Sequence, residues 1–171
     1  LGRTSDFRTA QQLHEALREE GSSIGLTTVY RTLQVLADAG QVDVVFTSLP
    51  GPPQVEAVAL SLNGIIGGAL PGLAYFDLST NSPTVMREIE TTFAAKGIQF
   101  LDAPVSGGPN GARSGKLALW IGGSEAAFNE HKALLDAIGD QARYVGPIGA
   151  GSVAKLVHNC AGYCINAALA E

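Results

Sequence analysis

Val42-Asp43-Val44-Val45-Phe46-Thr47-Ser48-Leu49 is a β-branched, near-continuous apolar run, ended by Pro50-Gly51-Pro52-Pro53. A run without polar alternation, bounded by turn formers, predicts a strand covered on both faces, the condition of a parallel sheet flanked by helices. The sequence downstream repeats that theme. A short helix is predicted around Gln54 to Leu60, then a glycine-rich loop from Asn63 to Gly72 and a strand from Leu73 to Leu78. Ser82-Pro83 opens a helix, serine as cap and proline in the first turn, that should run to about Lys96 and stop at Gly97. Ile98 to Leu101, Leu117 to Ile121 and Ala142 to Val145 are further strands, whereas Asp102 to Pro109 holds too many turn formers for regular structure. Ser124 opens a helix carrying Phe128, Leu134, Leu135 and Ile138, and a last helix begins near Gly151 and runs to Glu171. Strands alternating with helices predict an α/β fold with a doubly wound, mainly parallel, Rossmann-like sheet.

Upstream of Val42 the pattern changes. Thr9 and Gln12 fit a capping box, and Ala10, Leu13, Ala16 and Leu17 form one apolar stripe before Gly21. After the turn Gly21 to Gly25, a second helix places Val29, Leu33, Leu36 and Ala37 inward and ends at Gly40. Residues 1–41 are therefore predicted as a helix-turn-helix segment, 42–148 as a partial Rossmann-like domain, and 149–171 as a carboxy-terminal helix.

Composition narrows the function classes. Of 171 residues 46% are hydrophobic and 16% charged, so a sizeable core can form, and 21 glycines suit a protein with many strand-to-helix turns. The formal charge of -5 argues against a whole-molecule electrostatic surface for nucleic acid. Cys160 and Cys164 lie four apart on one predicted helix face and read as core residues. With His14, His131 and His158 scattered, no metal-ligand cluster is expected. No apolar run is long enough to span a bilayer, and a soluble, cytoplasmic protein is expected.

Chemistry concentrates in Gly149-Ala150-Gly151-Ser152-Val153-Ala154-Lys155-Leu156-Val157-His158-Asn159. Ser152, Lys155 and Asn159 fall three and four apart, so they share one helix face. Apolar neighbours can desolvate Lys155, lower its pKa and fit it for acid or base work; the plainer alternative is an amphipathic helix whose lysine snorkels to water.

Asp102-Ala103-Pro104-Val105-Ser106-Gly107-Gly108, Gly111-Ala112-Arg113-Ser114-Gly115-Lys116-Leu117, Gly122-Gly123 and the lysine helix, in that order, resemble the β-hydroxyacid dehydrogenase family, whose members include 3-hydroxyisobutyrate dehydrogenase. The resemblance covers roughly residues 43–171. It implies Lys155 as general acid/base, Asn159 as the group orienting substrate, and Ser106, Gly107 and Gly108 as holders of the carboxylate of a short hydroxy acid. It also implies Leu49, Pro50 and Thr80 as lining the cleft for NAD or NADP. No G-x-G-x-x-G occurs; Gly149 and Gly151 come nearest, but Ala154 takes the third position. The family's first βαβ unit and carboxy-terminal helical domain find no counterpart, so weak activity or none is expected of this chain alone.

Phe7-Arg8-Thr9-Ala10-Gln11-Gln12-Leu13-His14 and Gly25-Leu26-Thr27-Thr28-Val29-Tyr30-Arg31-Thr32-Leu33-Gln34 resemble instead the winged-helix domain of ferric and zinc uptake regulators. That resemblance implies Tyr30 and Arg31 as DNA-facing, with Thr27 and Thr28 near phosphates. A chimera joined at the shared strand 42–49 is expected, with weak nucleic-acid binding as an alternative function. A third reading is a structural protein: strand 42–49 presents an apolar edge, to be covered by the amino-terminal helices or by self-association.

Overall fold

Strands β1 (Val44–Thr47), β2 (Ala74–Asp77) and β3 (Gln99–Asp102) run parallel, with Val44 opposite Ala74 and Ala74 opposite Gln99. They belong to a computed structural model that describes Glu15, Arg18, Glu19 and residues 42–171. The chain divides into two compact units, Leu1–Val42 and Asp43–Glu171, and the architecture below is that of the second. Helix α1 (Pro52–Leu60) and the helical turn α2 (Ile65–Gly68) lead from β1 to β2, and α3 (Pro83–Ala94) leads from β2 to β3. Ser82 caps α3 by accepting the Thr84 N–H at 3.3 Å, and Gly97 then turns the chain at φ +71°.

Beyond Asp102 the chain reverses. β4 (Val105–Ser106), helix α4 (Gly108–Ser114) and β5 (Ala118–Gly122) follow, and β5 lies antiparallel to both β3 and β4. Helices α5 (Glu125–Glu130) and α6 (Lys132–Ile138) carry the chain to β6 (Gln141–Gly146), parallel to β5, and α7 (Ala150–Ala170) ends the described fold. The sheet order is β1-β2-β3-β5-β4, with β6 beside β5.

Both faces of the sheet are buried. Tyr75 and Phe76 are consecutive in β2, point to opposite faces, and are each fully inaccessible. Phe76 packs with Leu101, Leu119, Ile121, Phe128 and Leu135 on one side. Tyr75 meets Phe93 and Phe100 on the other, with ring centroids 5.4 and 5.0 Å away. Covering by helices on two sides is why the strands read as apolar runs rather than as alternation.

The α/β, mainly parallel, Rossmann-like reading holds, with five corrections of detail. β5 and β6 run against β1 to β3: β4 continues the direction of β3 and the chain turns back through α4, so that Asp102, Val105 and Ser106 pair with Gly122, Leu119 and Ala118. The segment taken for irregular loop contains β4 and the first turn of α4, since Val105 and Ser106 pair with Leu119 and Ala118. The glycine-rich loop 63–72 includes the turn α2, and the helix after Ser124 breaks at His131, leaving Leu134 exposed. Cys160 and Cys164 are free and exposed on α7, not core residues: the sheet covers only the first half of that helix. β1 is the outermost strand of the described sheet and is half-buried at every position.

Among the described residues no helix is long and apolar enough to cross a membrane, and no group of three or more His, Cys, Asp or Glu side chains could hold a metal ion.

Candidate active site

The site begins with a buried carboxylate. Asp102, at the end of β3, is fully inaccessible; its Oδ1 accepts the Gly149 N–H at 2.8 Å and its Oδ2 the Ser152 N–H at 2.6 Å. Helix α7 thus starts against a strand end that neutralises two of its free amides and complements its dipole. Close approach is possible because Gly151 has no side chain: a Cβ there would run into the carbonyl oxygens of Trp120 and Asp102.

One turn further along α7 stands Lys155. Only 8% of it is exposed, and its Nζ lies 5.9 Å from the centre of the Trp120 ring. Burial pushes its pKa down from the ordinary lysine value. The side chain lies against β5, its amine beside the Trp120 ring. Ser152, on the same face, is fully buried, its Oγ making no hydrogen bond within the described structure, and Asn159 is half-buried one turn beyond Lys155.

β4 brings the second group of predicted residues to the same helix. Ser106 Oγ and His158 Nε2 are 3.2 Å apart, and the His158 ring packs on Trp120 with centroids separated by 4.9 Å. Gly107 and Gly108 follow at φ +131° and +59°, conformations that side chains rarely adopt, and both are exposed. Ser106, Trp120, Lys155 and His158 consequently form one cluster of hydroxyl, indole, amine and imidazole.

The predicted cofactor-lining residues sit elsewhere, at the carboxyl ends of β1 and β2. Leu49 is half-buried, while Pro50 and Thr80 are exposed. Their loops are tied together: the Leu49 N–H donates to Ser79 Oγ at 2.9 Å, and the Ser79 hydroxyl donates to Asp77 Oδ1 at 2.6 Å. Thr47 Oγ1 donates to the same oxygen at 2.9 Å and receives the Tyr75 hydroxyl at 2.9 Å. Burial raises the Asp77 pKa above the carboxylate norm, against the lowering effect of the Ser79 and Thr47 hydrogen bonds. Burial, with Asp77 nearby, also raises that of Tyr75. Asp77 ends β2 and Asn81 follows in the next loop; the Asn81 side chain adds a further lowering influence on the Asp77 carboxyl. The loops after β1 and β2 stand at the carboxyl ends of parallel strands, the crevice in which α/β sheets bind dinucleotides.

Thr27, Thr28, Tyr30 and Arg31 lie outside the described residues. Sequence reasoning missed Trp120 and His158 as site members, Asp102 as the anchor of α7, and Ser79 as the tie between the Leu49 and Thr80 loops. His158 was detectable, being three residues after Lys155 on a helix, whereas Trp120 reaches the site through strand pairing that has no local signature.

The site thus combines a Rossmann-like sheet with a lysine helix docked on its antiparallel part. Residues 3–146 match the family model of the NAD binding domain of 6-phosphogluconate dehydrogenase, and the chain belongs to this family of β-hydroxyacid dehydrogenase relatives. It is 40% identical over 129 residues to 2-(hydroxymethyl)glutarate dehydrogenase of Eubacterium barkeri, covering 75% of this chain and 43% of that protein. It is 34% identical over 155 residues to 2-hydroxy-3-oxopropionate reductase of Escherichia coli, covering 88% and 52%. Among solved structures, 3-hydroxyisobutyrate dehydrogenase of Mycobacterium tuberculosis with L-serine superposes with a TM-score of 0.64 at 34% identity, covering 68% of this chain and 39% of that one. The chain spans about half the length of these relatives or less. The family match runs through residues 3–41 as well, and nothing in the comparisons supports a winged-helix origin for that segment or a chimera.

Proposed function

We propose that the chain carries the hydroxyl-handling and carboxylate-binding groups of an NAD(P)-dependent dehydrogenase acting on a short 3-hydroxy acid. The observation behind this reading is the burial of Lys155 beside Trp120, in one cluster with Ser106. A desolvated amine exchanges a proton near neutral pH more readily than an exposed one. Lys155 Nζ accepts the proton of the substrate hydroxyl in oxidation and returns it to the carbonyl oxygen in reduction. Asn159 orients the substrate, while Ser106 Oγ and the unobstructed backbone of Gly107 and Gly108 hold its carboxylate. Leu49, Pro50 and Thr80 line the cleft in which the nicotinamide, when bound, supplies the hydride acceptor.

Saturating NAD or NADP is expected to raise the melting temperature. Either cofactor with 3-hydroxyisobutyrate is expected to support slow reduction that falls about 10²- to 10⁴-fold in Lys155→Ala, the usual worth of a general base. No thermal shift with either cofactor, together with equal rates in the native chain and Lys155→Ala, rejects the reading.

A further inference from the structure

The hydrogen bond between Ser106 and His158 has a direction, and carboxylate binding selects it. A serine hydroxyl has one proton. If Ser106 spends it on an unprotonated His158 Nε2, its oxygen offers only lone pairs to an arriving anion. If His158 Nε2 carries the hydrogen, Ser106 accepts from the ring and its own proton is free for the carboxylate. We infer that His158 is a positioning residue that donates through Nε2 to Ser106 Oγ and so sets the Ser106 hydroxyl to bind the substrate carboxylate. The inference rests on the carboxylate role proposed for Ser106.

The surroundings hold the ring for this task. His158 is exposed, but its ring packs on Trp120 at an interplanar angle of 44°, and its Nε2 is 3.2 Å from Ser106 Oγ. Lys155 reaches the same indole one turn earlier on α7. From the elements packed against α7, β4 presents Ser106, β5 presents Trp120, and β6 has Arg143 in register with Trp120. Asp102 of β3 is engaged by the amides of Gly149 and Ser152, and Arg87 of α3 lies at the Gly149 turn. A ring that carries hydrogen on Nε2 donates to Ser106 Oγ and leaves the hydroxyl proton free for the carboxylate.

Two measurements on the whole chain test this. The first is the His158 tautomer, read from the ¹⁵N shifts of the neutral ring. Nε2–H is expected, and Nδ1–H overturns the inference. The second is the affinity for 3-hydroxyisobutyrate, followed by fluorescence of Trp120, the chain's single tryptophan, and by calorimetry. His158→Phe should weaken binding about tenfold, the scale of one hydrogen bond to a charged group. Ser106→Ala should do the same. If His158→Phe binds like the native chain while Ser106→Ala is weak, the inference fails and the carboxylate role stands. If Ser106→Ala binds like the native chain, or the native chain does not bind, the carboxylate role itself falls and the inference with it.

Discussion

Asp102 Oδ2 receives the backbone N–H of Ser152 at 2.6 Å across a separation of 50 residues, joining the end of β3 to the first turn of the lysine helix. The companion bond from Gly149 makes the carboxylate the shared cap of α7. Removing it leaves two buried amides unpaired.

Asp102→Ala should accordingly destabilise the fold by about 3 kcal/mol, since hydrogen bonds to a charged acceptor contribute about 1.5–3 kcal/mol each and do not add fully. Urea denaturation measures it. A loss below about 1 kcal/mol would show that the helix start does not depend on this carboxylate.

Asp77 makes stability depend on pH in the opposite sense to an ion-paired carboxylate. Its folded pKa is raised by burial, so the neutral form is favoured in the fold. Its contribution is fully present below the unfolded value and is lost as the pH rises through the raised folded value. Asp77→Asn keeps a neutral side chain of the same shape. Its melting temperature should fall less than that of the native chain as the pH rises from about 4, the ordinary carboxylate range, to neutrality; parallel curves would rule the effect out.

Lys155 has a folded pKa below its unfolded one, again through burial. The unfolded chain then binds more protons between the two values, so stability rises with pH across that window. Lys155→Met preserves length without charge. It should raise the melting temperature at neutral pH and abolish the alkaline rise, even as it removes the proposed proton transfer. A variant less stable than the native chain at neutral pH would contradict this.

Two glycines of α7 should respond oppositely to alanine. At Gly151 a Cβ would run into the carbonyl oxygens of Trp120 and Asp102, and overpacking should cost about 2–3 kcal/mol net of helix propensity. At Gly162 nothing lies within 4 Å, so alanine should stabilise by about 0.5–1 kcal/mol. Thermal melts of both variants check the pair; similar effects at the two positions would show that propensity alone decides.

Much of the fold was legible because its signals are local. The β-branched run at Val44–Thr47, the Ser82-Pro83 start of α3, the Gly97 stop and the Ser124 cap all act within a few residues, and each recurs in the structure. The helical spacing of Ser152, Lys155 and Asn159 also placed the three on one face. The direction of β5 was not legible, because an antiparallel return and a parallel crossover can carry the same apolar run. Nor was the exposure of Cys160 and Cys164, since an apolar helix continues in sequence where the sheet beneath it stops.

The sequence by itself determined the class: alternating strands and helices, the order of motifs from Asp102 to Asn159, and a lysine placed among apolar neighbours. Tertiary structure alone decided that Lys155 lies against β5 beside Trp120, that Ser106 meets His158, and that Asp102 anchors the helix carrying both Lys155 and His158. Backbone preferences and periodicity act between near neighbours and can be read along the chain. The depression of a lysine pKa and the direction of a serine proton depend instead on groups 35 to 52 residues apart, brought together by strand pairing and helix docking.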